Sequence, residues 1–171
     1  MAQGGGTGKN TATLEQVLQL GLQYQTKGNV PAALNLYADI LRQIPHQPDA
    51  LHLTGLCHYQ NGDHQKAVDW MRRSIQLNPN NATVHSNLGV ALIELGMVDD
   101  AKQHFRQAIT LKPDHTESHS NLGAILGNHN HTDEAIRHFE IALGQNPDHL
   151  ASLRGLAKLS VHVGKTDQAI D

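Results

Sequence analysis

Cysteine is almost missing from this chain. Cys57 is the only one in 171 residues, so no intramolecular disulfide framework is available. Aromatic residues are scarce, at 4%, which argues against a β-sandwich and for a core of Leu, Ile and Ala. No apolar run approaches the ~18–20 residues of a membrane-spanning helix. Neither sign of charge dominates: 13 Lys and Arg face 16 Asp and Glu, a net charge of −3. No global basic field therefore recruits nucleic acid or an acidic membrane. The first residues, MAQGGGTGKNT, lack the apolar stretch of a signal peptide, and a cytoplasmic protein is the default expectation. Histidine is the exception to this sparseness, with 13 residues, as many as Lys and Arg together.

What organises the chain is a period. Pro45, Pro79, Pro113 and Pro147 stand 34 residues apart, as do Ala33, Ala67, Ala101, Ala135 and Ala169. Such a step implies a repeat architecture. A Gly-rich leader, 1–13, is read as flexible. Units 14–47, 48–81, 82–115 and 116–149 follow, and 150–171 is a fifth unit cut short. Positions below are counted within a unit from Leu14, Pro48, Ala82, Thr116 and Leu150. In the third unit Val84, Leu88, Ala91, Leu92 and Leu95 recur at helical spacing, and Ala101, Phe105, Ala108, Ile109 and Leu111 do so again. The spacing predicts helices over 82–95 and 98–111, and two helices per unit throughout.

Other slots fit that hairpin. Position 8 (Gly21, Gly55, Gly89, Gly123, Ala157) and position 20, the alanine series, are small and let the two helices approach closely. Position 15 (Gly28, Gly62, Gly96, Asn130, Gly164) suits the left-handed residue that ends a helix. Pro31 falls in a first turn, where its missing N–H costs nothing. Asp99, Asp100, Asp133, Glu134 and Asp167 are placed in first turns of second helices, facing the positive dipole end. The prolines of position 32 stop each second helix. One hairpin cannot bury its apolar face, but stacked hairpins can. The expected fold is all-α, a right-handed superhelical solenoid whose first helices line a concave face.

This pattern resembles the tetratricopeptide repeat from residue 14 to 171. The two central units carry the resemblance best: HSNLGVALIELGMVDDAKQHFRQAITLKPD and HSNLGAILGNHNHTDEAIRHFEIALGQNPD. They are similar to the repeats preceding the catalytic region of O-linked N-acetylglucosamine transferases. They are also similar to repeats in bacterial proteins that end in glycosyltransferase, methyltransferase or sulfotransferase modules. The chain departs at position 4, often tryptophan in the family and here Val17, Leu51, His85, His119 and Leu153, and it contains no catalytic module. The resemblance implies a protein–protein interaction scaffold that binds an extended peptide or a partner helix on the concave face. Positions 2, 5, 6, 9, 12 and 13 of the family point there. On this chain they nominate Gln19, His52, Leu56, Tyr59, Ser86, Asn87, Val90, Ser120, Asn121, Asn128, Arg154 and Lys158.

Asn87 and Asn121 share position 6 one unit apart. Packed helices lie ~8–10 Å apart and an extended strand rises ~3.3 Å per residue, so each unit meets every third residue of a bound peptide. An amide donates and accepts, and so pairs with a peptide unit of any sequence. The two resemble the asparagine ladder of O-linked N-acetylglucosamine transferases; the alternative is that they are solvated or help fix the helix. Leu53, in the same slot, either faces the groove or packs between units. Arg154 and Lys158 stand i, i+4 on one helical face. The family's carboxylate clamp wants Lys and Asn where Leu18 and Leu22 stand, so binding of chaperone tails is disfavoured. Two functions remain: an adaptor, or the substrate-recruiting arm of a larger transferase. The truncated fifth unit lacks a polar capping helix, so this end is expected to be sticky and open to self-association.

Several signals look chemical. Gly4 to Lys9, GGGTGK, approximates a phosphate loop, but Gln3 stands where its first glycine belongs and Asn10 where Ser or Thr belongs. Cys57 occupies a slot that Ala91 fills in the next unit and reads as a buried apolar residue. Asn81-Ala82-Thr83 and Asn130-His131-Thr132 match the glycosylation triplet, which means little without a secretory signal. Equivalent histidines, His85 and His119, His104 and His138, His115 and His149, lie a full repeat apart, which disfavours chelation. His129 and His131 flank a turn but make only two ligands. No catalytic residue, metal or cofactor is expected. Titrating near ~6.5, the histidines are expected to make solubility or partner binding pH-sensitive.

Overall fold

The computed structural model describes residues 12–167, which form nine helices and no strand among them. The first helices are α1 (Leu14–Thr26), α3 (Pro48–Gln60), α5 (Ala82–Glu94) and α7 (Thr116–Asn128), and each pairs with the helix that follows it. Those partners are α2 (Val30–Gln43), α4 (His64–Leu77), α6 (Val98–Leu111) and α8 (Thr132–Gln145). The helix α9 (Leu150–Asp167) closes the described part. The leader motif at 4–9, and Ala169 and Asp171, lie outside the described residues.

Every first helix starts at position 1 because position 34 caps it. Thr13 Oγ1 accepts the Gln16 N–H at 3.2 Å while Gln16 answers the Thr13 N–H at 2.8 Å, a reciprocal capping box. Asn81 Oδ1 accepts from the Val84 N–H at 3.2 Å. In the next unit His115 does this with its ring, Nδ1 taking the Ser118 N–H at 3.3 Å. Each hairpin turns on a residue of positive φ: +78° at Gly28, +79° at Gly62, +73° at Gly96 and 62° at Asn130. That is the backbone region glycine enters freely and asparagine tolerates.

The fifth unit departs from expectation. The helix α9 runs through Gly164 to Asp167, so no turn forms at Gly164 and Asp167 does not open a second helix. A glycine inside a helix costs only about 1 kcal/mol relative to alanine. In the other units a packed second helix holds the turn, and among the described residues none folds back on α9.

Within a hairpin, small residues meet large ones. A Cβ on Gly89 would lie 2.7 Å from the Phe105 ring, so only glycine lets α5 sit this close to α6. Phe105, Phe139, Met71 and Tyr37 are buried in consequence. One apolar cluster runs from Ala67 to Leu159 and a smaller one joins α1 and α2 to Ala50 and Cys57. Consecutive first helices pack closely, whereas the backbones of α2, α4, α6 and α8 stay apart from one another. The first helices therefore form the inner layer of the solenoid.

Two histidine pairs cross the third and fourth hairpins. His85 and His119, 6% and 3% exposed, each hold a ring nitrogen against a proline carbonyl: Nε2 to Pro79 O at 3.0 Å and Nε2 to Pro113 O at 2.9 Å. A carbonyl only accepts, so Nε2 carries the proton. The neutral ring then offers its Nδ1 lone pair to the Nδ1–H of His104 at 3.0 Å, and to that of His138 at 2.8 Å. Each pair links position 4 to position 23 of one unit. The same two slots hold Val17 with Leu36, and Leu51 with Trp70, in the first two units. A pair accommodates one added proton; a second sets two N–H groups head to head.

Burial, and then the facing His85 and the neighbouring Arg72, lower the His104 pKa against the pull of Asp100. His138 is lowered by burial, His119, Arg106 and Arg137 against Glu134. Burial likewise lowers His115, whose cap needs a neutral ring. Unfolded, all three titrate near ~6.5. The unfolded chain thus binds protons first as pH falls, and stability falls with it. The contribution is complete above about 6.5 and is lost as pH drops through the lowered folded values.

Two outcomes follow for folding. Thermal melts from pH 7.5 to 5.0 should show a falling Tm, and His104→Gln with His138→Gln should flatten that slope; an equal slope in the variant would exclude the pairs as its source. Urea titration should place Gly96→Ala about 1 kcal/mol below the parent, with Gly96→Asn recovering part of the loss because Asn130 already holds that slot. Gly89→Ala should cost more, about 1–3 kcal/mol, through overpacking against Phe105.

Candidate functional site

The inner layer presents three clefts. Between α1 and α3 a cleft of about 390 Å³ is lined by Glu15, Leu18, Gln19, Leu22, Asp49 and His52, with Leu53. At the foot of α5 and α7 one of about 480 Å³ is lined by Thr83, Ser86, Asn87 and Glu117, with Lys112 and Asp114 from the intervening loop. Between α7 and α9 one of about 150 Å³ is lined by Ala124, Asn128, Ala151, Gly155 and Lys158. Helical periodicity brings positions 2, 5, 6 and 9 to one face, so the clefts fall in register along the solenoid. The stretch between the first two is floored by Leu56, Tyr59, Val90 and Ile93, half-buried against the core. Burial, and then the adjacent Glu94, raise the Tyr59 phenol pKa.

Several expected residues meet each other. The Asn87 amide donates from Nδ2 to His52 Nε2 at 2.9 Å, bridging α3 and α5. His52 is therefore the neutral tautomer with its proton on Nδ1. Burial lowers its pKa to about 4 although Asp49 pulls the other way, so it remains an acceptor at neutral pH. The Asn87 oxygen stays free for a ligand. Asn121 is half-buried and its side chain makes no hydrogen bond among the described residues. Lys158 Nζ donates to Asn128 Oδ1 at 3.0 Å and ties α9 to α7. Gln19 and Arg154 are exposed.

Ser86 and Ser120 are buried, at 2% and 4% exposure, so Ser86 borders the second cleft with little surface of its own. A short side chain at position 5 is covered by the neighbouring first helix, whereas His52 and Arg154 in the same slot are long enough to reach past it. Leu53 does both of its possible jobs, packing half-buried against the first cluster while lining the first cleft. The charges differ along the face: Glu15 and Asp49 line the cleft of the first two units, Glu117 shares the next with Lys112 and Asp114, and Arg154 and Lys158 belong to the last unit. On α9, Leu150 and Val161 are 64% and 60% exposed.

The remaining chemical signals resolve structurally. Cys57 is fully buried, and burial pushes its thiol up to about 11, away from a reactive thiolate. His129 donates from Nδ1 to the Ile125 carbonyl at 2.8 Å. No three His, Cys, Asp or Glu side chains converge on one point among the described residues. No helix among them is long and apolar enough to cross a membrane.

Residues 26–108 match the family model of anaphase-promoting complex, cyclosome, subunit 3, and residues 122–171 match that of the tetratricopeptide repeat. The photosystem I assembly protein Ycf3 of Acaryochloris marina is 34% identical over 95 residues, covering 50% of this chain and 57% of that protein. The chain thus spans little more than half of this relative's length. Among solved structures, Pseudomonas aeruginosa pilF superposes with a TM-score of 0.81 at 24% identity, covering 88% of this chain and 69% of the other. The first tetratricopeptide domain of Spaghetti, bound to an HSP90 peptide, does so at 0.65 with 21% identity, covering 68% and 93%. Both likenesses concern the fold. The 34-residue period, the hairpin geometry and the match over 122–171 agree on a tetratricopeptide-type helical-repeat fold.

Proposed function

We propose that the chain is a binding scaffold that holds an extended segment of a client protein along its inner face, in the manner of an assembly factor. The observation that carries this is the set of inner clefts, each of which takes in positions 2 and 6 of a first helix. Asn87 lines the second cleft and Asn121 lies on α7, which borders the second and third, and both carry amide groups able to read a peptide backbone. The Spaghetti domain holds a peptide on the same fold, and Ycf3 is an assembly protein by name; both support a client-binding reading. The difference in charge orients the client, with basic side chains toward Glu15 and Asp49 and acidic ones toward Arg154 and Lys158. The other reading, an arm recruiting substrates to a larger transferase, rests on the resemblance of the two central units alone.

A peptide array identifies binders, and isothermal titration of the best one tests the groove. Removing one backbone-pairing amide costs ~1 kcal/mol, roughly fivefold in affinity. Asn121→Ala should show that loss, and Asn87→Ala with Asn121→Ala roughly tenfold or more. Undiminished affinity in the double variant would remove the asparagines from the site.

A further inference from the structure

The outer layer carries a cleft of its own. It lies between α2 and α4, has a volume of about 520 Å³, and rests on the side of α3 opposite the inner groove. The backbones of the two wall helices do not approach each other closely. One wall is apolar: Leu34, Ala38 and Leu41 recur at i, i+4 and i+7, a strip of about 10 Å along α2. The other wall is Trp70 and Arg73. The guanidinium of Arg73 lies 4.3 Å over the Trp70 ring, and His58 stacks against that ring at 6.4 Å.

Its charge has one sign. Arg42 and Arg73 line the cleft and no carboxylate does. Arg42 is paired with Asp39 at 2.7 Å, whereas Arg73 makes no ion pair among the described residues. The repeat supplies an internal control. Ala38 is position 25, and the second and third units carry Arg72 and Arg106 there. Those arginines stand near enough to the next second helix for their charge to lower the pKa of His104 and His138. At the first junction the arginine is replaced by a methyl group and the histidine by Trp70, so the gap is left open and faced with indole.

We propose that this cleft is a second docking site, independent of the inner groove, for an acidic amphipathic helix of a partner protein. Apolar side chains spaced i, i+4 and i+7 on that helix lie between the α2 strip and Trp70, and a flanking carboxylate meets Arg73. A helix suits the site better than an extended strand because the apolar wall itself repeats at helical spacing. Occupied on both faces, the scaffold would hold two proteins at once.

Trp70 is the sole tryptophan of the chain, so its emission reports on the cleft directly. The probe is a synthetic helical peptide with Leu at i, i+4 and i+7 flanked by Glu, compared with versions carrying Gln or Lys in place of Glu. The Glu peptide should change the emission saturably, the Gln peptide should bind more weakly, and the Lys peptide should not titrate. Ala38→Arg installs the residue that the next two units tolerate, and Arg73→Glu reverses the charge. Each should weaken the Glu peptide about tenfold or more while circular dichroism and inner-groove peptide binding stay unchanged. Equal titration by the Lys peptide, no saturable change with the Glu peptide, or unchanged affinity in both variants overturns the proposal. So does an emission change that follows protein concentration alone, which would assign the cleft to a second copy. Because inner-groove binding is read on the same variants, failure here is separable from failure of the client groove.

Discussion

The contact between position 8 of a first helix and position 24 of its partner is the constraint on which the rest depends. Gly21 against Tyr37 and Gly89 against Phe105 are the two tightest cases, and Gly123 meets Phe139 in the same way. A missing Cβ lets the ring reach the backbone of the facing helix, which sets the hairpin spacing. Hairpin spacing decides which positions stay on the inner layer, and so decides the groove. The same ring explains where the groove chemistry changes. Phe139 also abuts Gly155, where a Cβ would collide with its far edge. Gly155 is position 6, the slot of Asn87 and Asn121. At the last junction that slot is consumed by packing, and recognition passes to Arg154 and Lys158.

An imidazole pair with one ring buried and one half-buried, where other units place apolar residues, is costly unless each nitrogen finds a partner. Here the proline carbonyl of the preceding loop fixes the inner ring, and the inner ring fixes the outer one. The pairs therefore tie three pieces together: the loop that enters the unit, its first helix and its second. An apolar pair such as Leu51 with Trp70 joins only two. The gain is directional, and a pair keeps it through one added proton but not two, which couples the stiffness of the central units to pH.

The helices were legible because the repeat states each boundary several times over. Glycine or asparagine at position 15 marks the turn, and proline at position 32 marks the stop. Gly164 shows the limit: the same residue in the same slot lies inside α9, with no turn among the described residues. The histidine pairs were hidden for a different reason. Comparing His85 with His119 keeps equivalent positions apart, whereas the meeting is between position 4 and position 23, 19 residues on within a unit. That separation was present twice, in His85 with His104 and in His119 with His138. Of the groove, the inner register was readable, but the burial of Ser86 and Ser120 was not. Side-chain length at position 5, and not position alone, decides what clears the neighbouring helix.

A solenoid also supplies its own reference, because a slot filled alike in neighbouring units reports packing while a slot that breaks ranks asks for another cause. Position 25 is arginine in two consecutive units and alanine in the unit before them. Packing does not demand that alanine, since its side chain borders an open cleft and lies exposed. Position 23 departs at the same junction, to the chain's one tryptophan. Two departures meeting across one gap, each enlarging or lining it, are what a binding requirement produces. A packing requirement acts in the opposite sense, as Gly89 does where it lets the Phe105 ring in and closes the space.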